Sequence, residues 1–300
     1  VGESELAKRI YGKWWYVVVQ VRLPRVLSSA VVGAALSICG VVFQGILLNP
    51  LADPYTLGIS AGASFGAAIS IVFPLGLFAF LSTQLVSFMF AILTLSFVMR
   101  MATFRGVISP TSLILSGVVI TAFFSAGLSF IKYIAGEEVG SIIFWLMGSF
   151  SSMDWDKLLL MSVFTVAGFL VFYRYAEDIN ILSFGDRVAI SLGVNPTLLR
   201  QVLLIVASFV VAITVSACGI IGFVGIVVPH LFRFLVGADN RRLLVVSAIG
   251  GAIFLSTADN ISRVWLPIEV PIGVLTALIG GPFFAVIFRN KMKRGYSWKR

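Results

Sequence analysis

Apolar runs of about helix-spanning length recur nine times along the 300-residue chain, near residues 26–45, 57–75, 78–99, 111–134, 157–173, 199–217, 219–236, 243–258 and 271–289. A hydrocarbon core about 30 Å thick is crossed by roughly 20 helical residues. Lipid offers no partner to an open strand edge, so segments of this kind are helices. Only 12% of the residues are charged, against about 25% in soluble domains. The reading is an all-α polytopic membrane protein forming one transmembrane domain over residues 1–300. It divides into an external amphipathic segment at 1–25, a membrane bundle of about nine spans at 26–289 and a basic tail at 290–300. Many of the 28 glycines lie inside the apolar runs, where they permit close helix approach.

Lys and Arg placement orients the bundle. With the C-terminus in the cytoplasm, Arg100, Arg105, Arg174, Arg187, Arg200, Arg233, Arg241, Arg242 and the six basic residues from Arg289 onward lie inside, which is 14 of 22. Lys132, Lys157 and Arg263 fall outside, with five more in the first 25 residues. The net charge of +9 is therefore a topology signal, and nucleic acid is an unnecessary partner. Cys39 and Cys218 sit in apolar runs and read as packing residues, with no disulfide framework or metal-ligand spacing. The sequence contains no G-x-x-x-x-G-K-[ST] or H-E-x-x-H. The N-terminus faces outside and lacks Met, which suggests a preceding span.

The interruptions between runs carry the functional signals. The longest polar one in the second half is INILSFGDRVAISLGVNPTLLR, residues 179–200. Asp186 to Leu192 reads as a short helix, preceded by Gly185 and stopped by Gly193 and Asn195-Pro196. Two turns are unstable alone, so this helix rests on the bundle and offers a platform for a protein partner; the plainer alternative is a chain reversal. Trp14, Trp15 and Tyr16 suit the membrane interface. Arg22 and Arg25 lie on the outer side against the charge trend, as does Arg263, for which Asp259 one helical turn away is the local partner.

Asn49-Pro50 and Asp53-Pro54 force a non-helical turn on the cytoplasmic side. Gly58, Gly62 and Gly66 form a small-residue face for packing or for a wide passage. Ser109, Pro110, Thr111 and Ser112 are either a constriction where two copies meet or a capped helix start. SIIFWLMG in the loop at 136–156 is too short to span and reads as a helix at the outer face. His230, the sole histidine, follows Pro229 and reads as part of a helix break rather than a proton relay, since no carboxylate recurs at its depth.

RLPRVL, GxxFQGxLxNPLADPxxLGISxGA, FWLMGSF…DW, GxxxAxxLGVN, GFVGIVVPHLFR…GADNRR and ExPIGxLTALIGGPFF occur in this order between Arg22 and about Arg289. Together they resemble the permease family of ABC importers for ferric siderophores, haem and cobalamin. The family has ten spans and usually carries histidine where Asn240 stands. The resemblance implies a homodimer in the cytoplasmic (inner) membrane of a prokaryote, its pathway on the two-fold axis. Two ATP-binding cassette subunits bind inside and an extracytoplasmic substrate-binding protein docks outside. No cofactor belongs to this chain; ATP and Mg²⁺ are held by the partner ATPase.

By motif matching, Gly185, Asp186, Arg187, Ala189, Leu192, Gly193 and Val194 correspond to the ATPase-coupling region. Arg22, Arg25 and Arg263 correspond to arginines that pair with glutamates of the binding protein. Ser109–Ser112 corresponds to the cytoplasmic gate, and Gly58 and Gly62 border the pathway. Molybdate or tungstate remains an alternative cargo. An ion-coupled secondary transporter is a second alternative, disfavoured by the scarcity of intramembrane carboxylates. A membrane enzyme using His230 lacks a second catalytic group.

Overall fold

The computed structural model describes residues 14–73, 81–264 and 269–296. Among the described residues the first helix runs without a break from Trp14 to Ile46. It contains a π-helical stretch, Val17–Arg22, followed by α1, Leu23–Ile46. The expected boundary at residue 26 is therefore corrected: Arg22 and Arg25 belong to the first long helix. The Val19 carbonyl, freed by the wider π register, accepts the Trp155 indole N–H at 3.2 Å.

The remaining helices are α2 (Ile59–Val72), α3 (Thr83–Ala102), α4 (Pro110–Ile134), α5 (Val139–Leu146), α6 (Trp155–Arg174), α7 (Ala176–Leu182), α8 (Asp186–Ser191), α9 (Pro196–Cys218), α10 (Val224–Val236), α11 (Asn240–Val264) and α12 (Ile272–Tyr296). Among the described residues six helices are long and apolar enough to cross a membrane, and three shorter apolar ones cover Ile59–Val72, Val224–Val236 and Ile272–Val286. Together they match the nine expected runs. The eight-residue α5 is the expected short helix at the loop, and α7 is an element the sequence reading did not anticipate.

α1 is the central post. It packs on α6, α9, α10 and α11, and from Val32 to Ile46 most of its side chains are buried. Two glycines set its distance from its neighbours. A Cβ on Gly40 would fall on the Gly225 carbonyl of α10, and one on Gly33 would fall on the Gly251 carbonyl of α11. Backbone thus lies against backbone, the close approach that small residues permit in lipid.

Two chain segments lose helical structure inside the bundle. Residues 47–58 leave α1 and climb back, so that Pro54 reaches Gly225 beside the Leu36 carbonyl. The expected cytoplasmic turn is thereby corrected to a coil that re-enters the bundle, because Pro50 and Pro54 cannot donate to a helix and the chain must return to start α2 partway up. The second break, residues 219–223, shortens α10 at its start. The two coils meet: the Tyr55 hydroxyl donates to the Ile221 carbonyl at 3.1 Å and accepts from its N–H at 3.4 Å. Non-helical backbone at this depth is tolerated only when its polar groups are met within the protein.

Between α3 and α4 the chain forms a two-residue hairpin, β1 (Thr103–Phe104) with β2 (Val107–Ile108). Arg105 and Gly106 both have positive φ, at 51° and 76°, the geometry of a type I′ turn.

Replacing Gly40 by Leu drives a side chain into the Gly225 backbone and is expected to destabilise the bundle by at least about 2–3 kcal/mol. Gly140→Ala, where nothing lies within 4 Å, is expected to stay within about 0.5 kcal/mol. Thermal unfolding of the detergent-solubilised protein separates the two.

Candidate functional site

The polar stretch between α6 and α9 folds as two short helices, α7 and α8, at one end of the bundle. α7 is seated: Ala176, Ile179 and Leu182 are fully buried, and Ile179 lies against Gly45 of α1. A φ of +100° at Gly185 then turns the chain into α8, whose Ala189 is its buried residue. The outer surface is apolar, with Phe184 at 73%, Ile190 at 63% and Leu192 at 61% exposure, and Arg187 and Val188 are exposed beside them. Gly193, at φ +86°, ends the helix as expected, and the Asn195 side chain caps α9 by accepting the Leu198 N–H at 3.1 Å. The expected helix at Asp186 to Leu192 is present within one residue.

What holds α8 in place is a single guanidinium. Arg200 is fully buried on α9 and forms a two-pronged pair with the Asp186 carboxylate, at 2.8 and 2.6 Å. Two further donors reach the Ile46 carbonyl at the end of α1, at 3.1 Å, and the Ile108 carbonyl at the end of β2, at 3.2 Å. The Arg200 hydrogen bonds hold the Asp186 carboxyl below the usual carboxylate range.

A second polar tie fixes α7. The Asn180 side chain accepts from the Asn240 N–H at 2.9 Å and from its side-chain amide at 2.7 Å. It also donates to Asp239 at 2.9 Å, which lowers the pKa of that carboxyl. Asn240 is thus a buried donor to Asn180.

At the same end, Ser109 and Ser112 form a reciprocal capping box at the start of α4. Ser112 Oγ also lies 3.0 Å from the Ala102 carbonyl, so both hydroxyls are engaged in the cap while Thr111 is exposed. Gly58 and Gly62 are buried. A Cβ at Gly58, where φ is +78°, would meet Thr121 of α4, and one at Gly62 would meet Thr94 of α3. Their faces are filled by neighbouring helices, which is the packing alternative.

The opposite end carries a charge cluster. Asp259, 2% exposed, pairs with Arg25 at 2.9 Å and with Arg263 at 3.3 Å one turn along α11. The more exposed Glu269 is a second carboxylate to Arg25, and Arg22 is exposed nearby in sequence. Arg25 and Arg263 thus converge on one buried carboxylate, and Arg22 stays apart from that cluster. Arg25, Asp259 and Glu269 border a cavity of about 500 Å³ whose walls include Trp145, Phe150 and Ser151. His230 follows Pro229 within α10, its ring edge-on to Phe234 at 5.1 Å. Cys39 and Cys218 are free and buried.

Residues 4–290 match the FecCD transport family. The chain belongs to that family. It is 39% identical over 281 residues to the molybdate import system permease protein MolB of Haemophilus influenzae, covering 93% of this chain and 82% of that one. It is 37% identical over 285 residues to the hemin transport system permease protein HmuU of Yersinia pestis, covering 93% and 85%. A solved structure reported as an inward-facing conformation of a metal-chelate type ABC transporter superposes with a TM-score of 0.84 at 37% identity, covering 92% of this chain and 88% of that chain.

Sequence reasoning missed Arg200. It counted that arginine among the cytoplasmic charges of the orientation rule, whereas the side chain is wholly buried. The available signal was a lone arginine four residues into an apolar helix, following a short helix that opens with a lone aspartate. Exposed charges and buried pairs look alike in a count of basic residues.

Because Asp186 is held ionised by Arg200, its stabilising contribution is fully present above its unfolded pKa of about 3.9 and is lost as pH falls through the lower folded value. Thermal unfolding should therefore show an acid limb below about pH 4 that Asp186→Asn removes. At neutral pH, Asp186→Ala leaves the buried Arg200 guanidinium without its counter-charge and should cost about 3 kcal/mol.

Proposed function

We propose that the chain is the membrane-spanning permease subunit of an ATP-driven importer of a metal chelate, working as a pair of copies with two ATP-binding subunits on the α8 side. Membership of the FecCD transport family supports transport. The observation that carries the ATPase assignment is the α7–α8 platform: a seated, internally pinned pair of short helices that displays Phe184, Ile190 and Leu192 to solvent. A surface helix ordinarily hides such residues, and an amphipathic helix in a groove is a recurrent way for proteins to meet.

On this reading the α8 end is cytoplasmic, where the C-terminus also lies, and the membrane is the cytoplasmic (inner) membrane of a prokaryote. ATP and Mg²⁺ are held by the partner subunits. The charge cluster of Arg25, Arg263, Asp259 and Glu269 faces outside, and exposed Arg22 is the arginine best placed to meet carboxylates of a docked binding protein. Arg25 and Arg263 support that contact from below, since their guanidinium groups are already committed to Asp259. The exposed Thr111 at the start of α4 lies at the inner mouth of the passage between copies.

The cargo class follows the relatives. Ferric siderophore, haem and cobalamin fit this reading, with selectivity residing in the binding protein; the molybdate relative makes an oxyanion the second cargo class.

The test is ATP hydrolysis by the reconstituted permease with its ATP-binding subunit. Arg187→Glu combined with Ile190→Asp reverses charge and removes apolar contact on the exposed face only. Stimulated hydrolysis should fall to the level of the isolated ATPase while the permease stays monodisperse. Unchanged stimulation would remove the platform from the account.

A further inference from the structure

The guanidinium of Arg200 joins three elements that are far apart in sequence. α8 contributes Asp186; α1 contributes the Ile46 carbonyl; the β-hairpin contributes the Ile108 carbonyl, one residue before the Ser109 cap of α4. The chemistry of each acceptor explains why a guanidinium fits. Ile46 sits in the last turn of α1, where carbonyls lack helical partners, and the residue four positions on is Pro50, which has no N–H to offer. The Ser112 N–H, four positions beyond Ile108, is taken by the Ser109 hydroxyl. Both carbonyls therefore take a donor from outside their own elements, the end of α1 and the end of β2.

The planar fork of arginine reaches both while gripping a carboxylate with two parallel bonds, a geometry that lysine does not supply. All of this occurs at a fully buried side chain, where water does not replace a broken bond.

We propose that Arg200 is a positioning residue that transmits displacement of the α8 platform to the feet of α1 and α4, at the inner mouth of the passage. The proposal rests on the reading of α8 as the ATPase contact. Its physical content is a constraint. α8 cannot shift relative to the bundle without either breaking the Asp186–Arg200 fork or dragging the peptide groups of Ile46 and Ile108. The first leaves a buried charge unpaired, so the second is the favoured response. The re-entrant coil that follows Ile46 and the cap that follows Ile108 then move as the platform moves. An arginine serving only as a staple would stabilise the fold and leave the two movements independent of its chemistry.

The experiment uses the complete complex of permease and ATP-binding subunit in lipid nanodiscs. Spin labels are placed on Ser183→Cys, in the turn before α8, or on Thr111→Cys, at the start of α4; both positions are exposed, and the native Cys39 and Cys218 are buried. Distances between the two copies are measured before and after trapping with ATP and vanadate. In the unsubstituted protein both distances change. With Arg200→Lys the Ser183 distance should still change, the Thr111 change should fall below half, and stimulated hydrolysis should drop about 2- to 30-fold, with ATPase binding retained. Asp186→Asn keeps the shape and both carbonyl bonds; it is read the same way, and carries the test should Arg200→Lys fail to fold.

Undiminished Thr111 movement in the variant that folds overturns the relay while leaving the platform intact. If the Ser183 distance does not respond to trapping in the unsubstituted complex, the platform reading has failed, and the relay with it.

Discussion

A peptide group that leaves a helix inside lipid has no water to turn to, and each one left unmet costs several kcal/mol. That constraint shapes this bundle wherever its helices break. The coil at 47–58 and the coil at 219–223 are laid against each other so that one Tyr55 hydroxyl serves both peptide groups of Ile221. The end of α1, deprived of a donor by Pro50, receives one from Arg200. Backbone contacts at Gly33 with Gly251 and Gly40 with Gly225 bring α10 and α11 close enough to α1 for these stitches to reach. The breaks are thus specified features of the fold, placed where neighbouring backbone can meet them.

The two ends of the bundle use charge differently. At the end opposite α8 a buried Asp259 collects Arg25 and Arg263, and Glu269 adds a second carboxylate to Arg25. The result is a charge-balanced cluster beside a cavity, with Arg22 standing clear of it. At the α8 end a buried arginine reaches outward to a half-exposed aspartate, and the helix so pinned leaves apolar residues exposed. The first arrangement neutralises its charges within the bundle, and the second leaves an apolar face open beside a buried ion pair.

Much of this was legible in the sequence. Nine apolar runs appear as nine apolar helices among the described residues, and the short helix at Asp186 was delimited to one residue because Gly185, Gly193 and Asn195-Pro196 punctuate it. The loop helix α5 was legible for the same reason. The course of residues 47–58 was not, since proline pairs announce a break but carry no information on whether the chain stays outside or climbs back. Gly58 and Gly62 read as a small-residue face that favours packing over passage, and the neighbours they meet, Thr121 and Thr94, come from tertiary packing that the sequence does not spell out. Arg200 escaped because its partners, Asp186, Ile46 and Ile108, are dictated by tertiary packing, and two of the three are carbonyls that every residue possesses. The pairing of Arg25 and Arg263 on Asp259 was half visible, as the helical spacing of four on α11, while Arg25 lies 234 positions away.

The central claim is that the exposed face of α8 is where an ATP-binding subunit sits. Site-specific photocrosslinking from Ile190 in native membranes tests it most directly. A crosslinked species containing a nucleotide-binding subunit, lost when the photoreactive group is moved to the buried Ala189 position, is the result predicted. Adducts with lipid alone, or with no nucleotide-binding protein among the products, would contradict it.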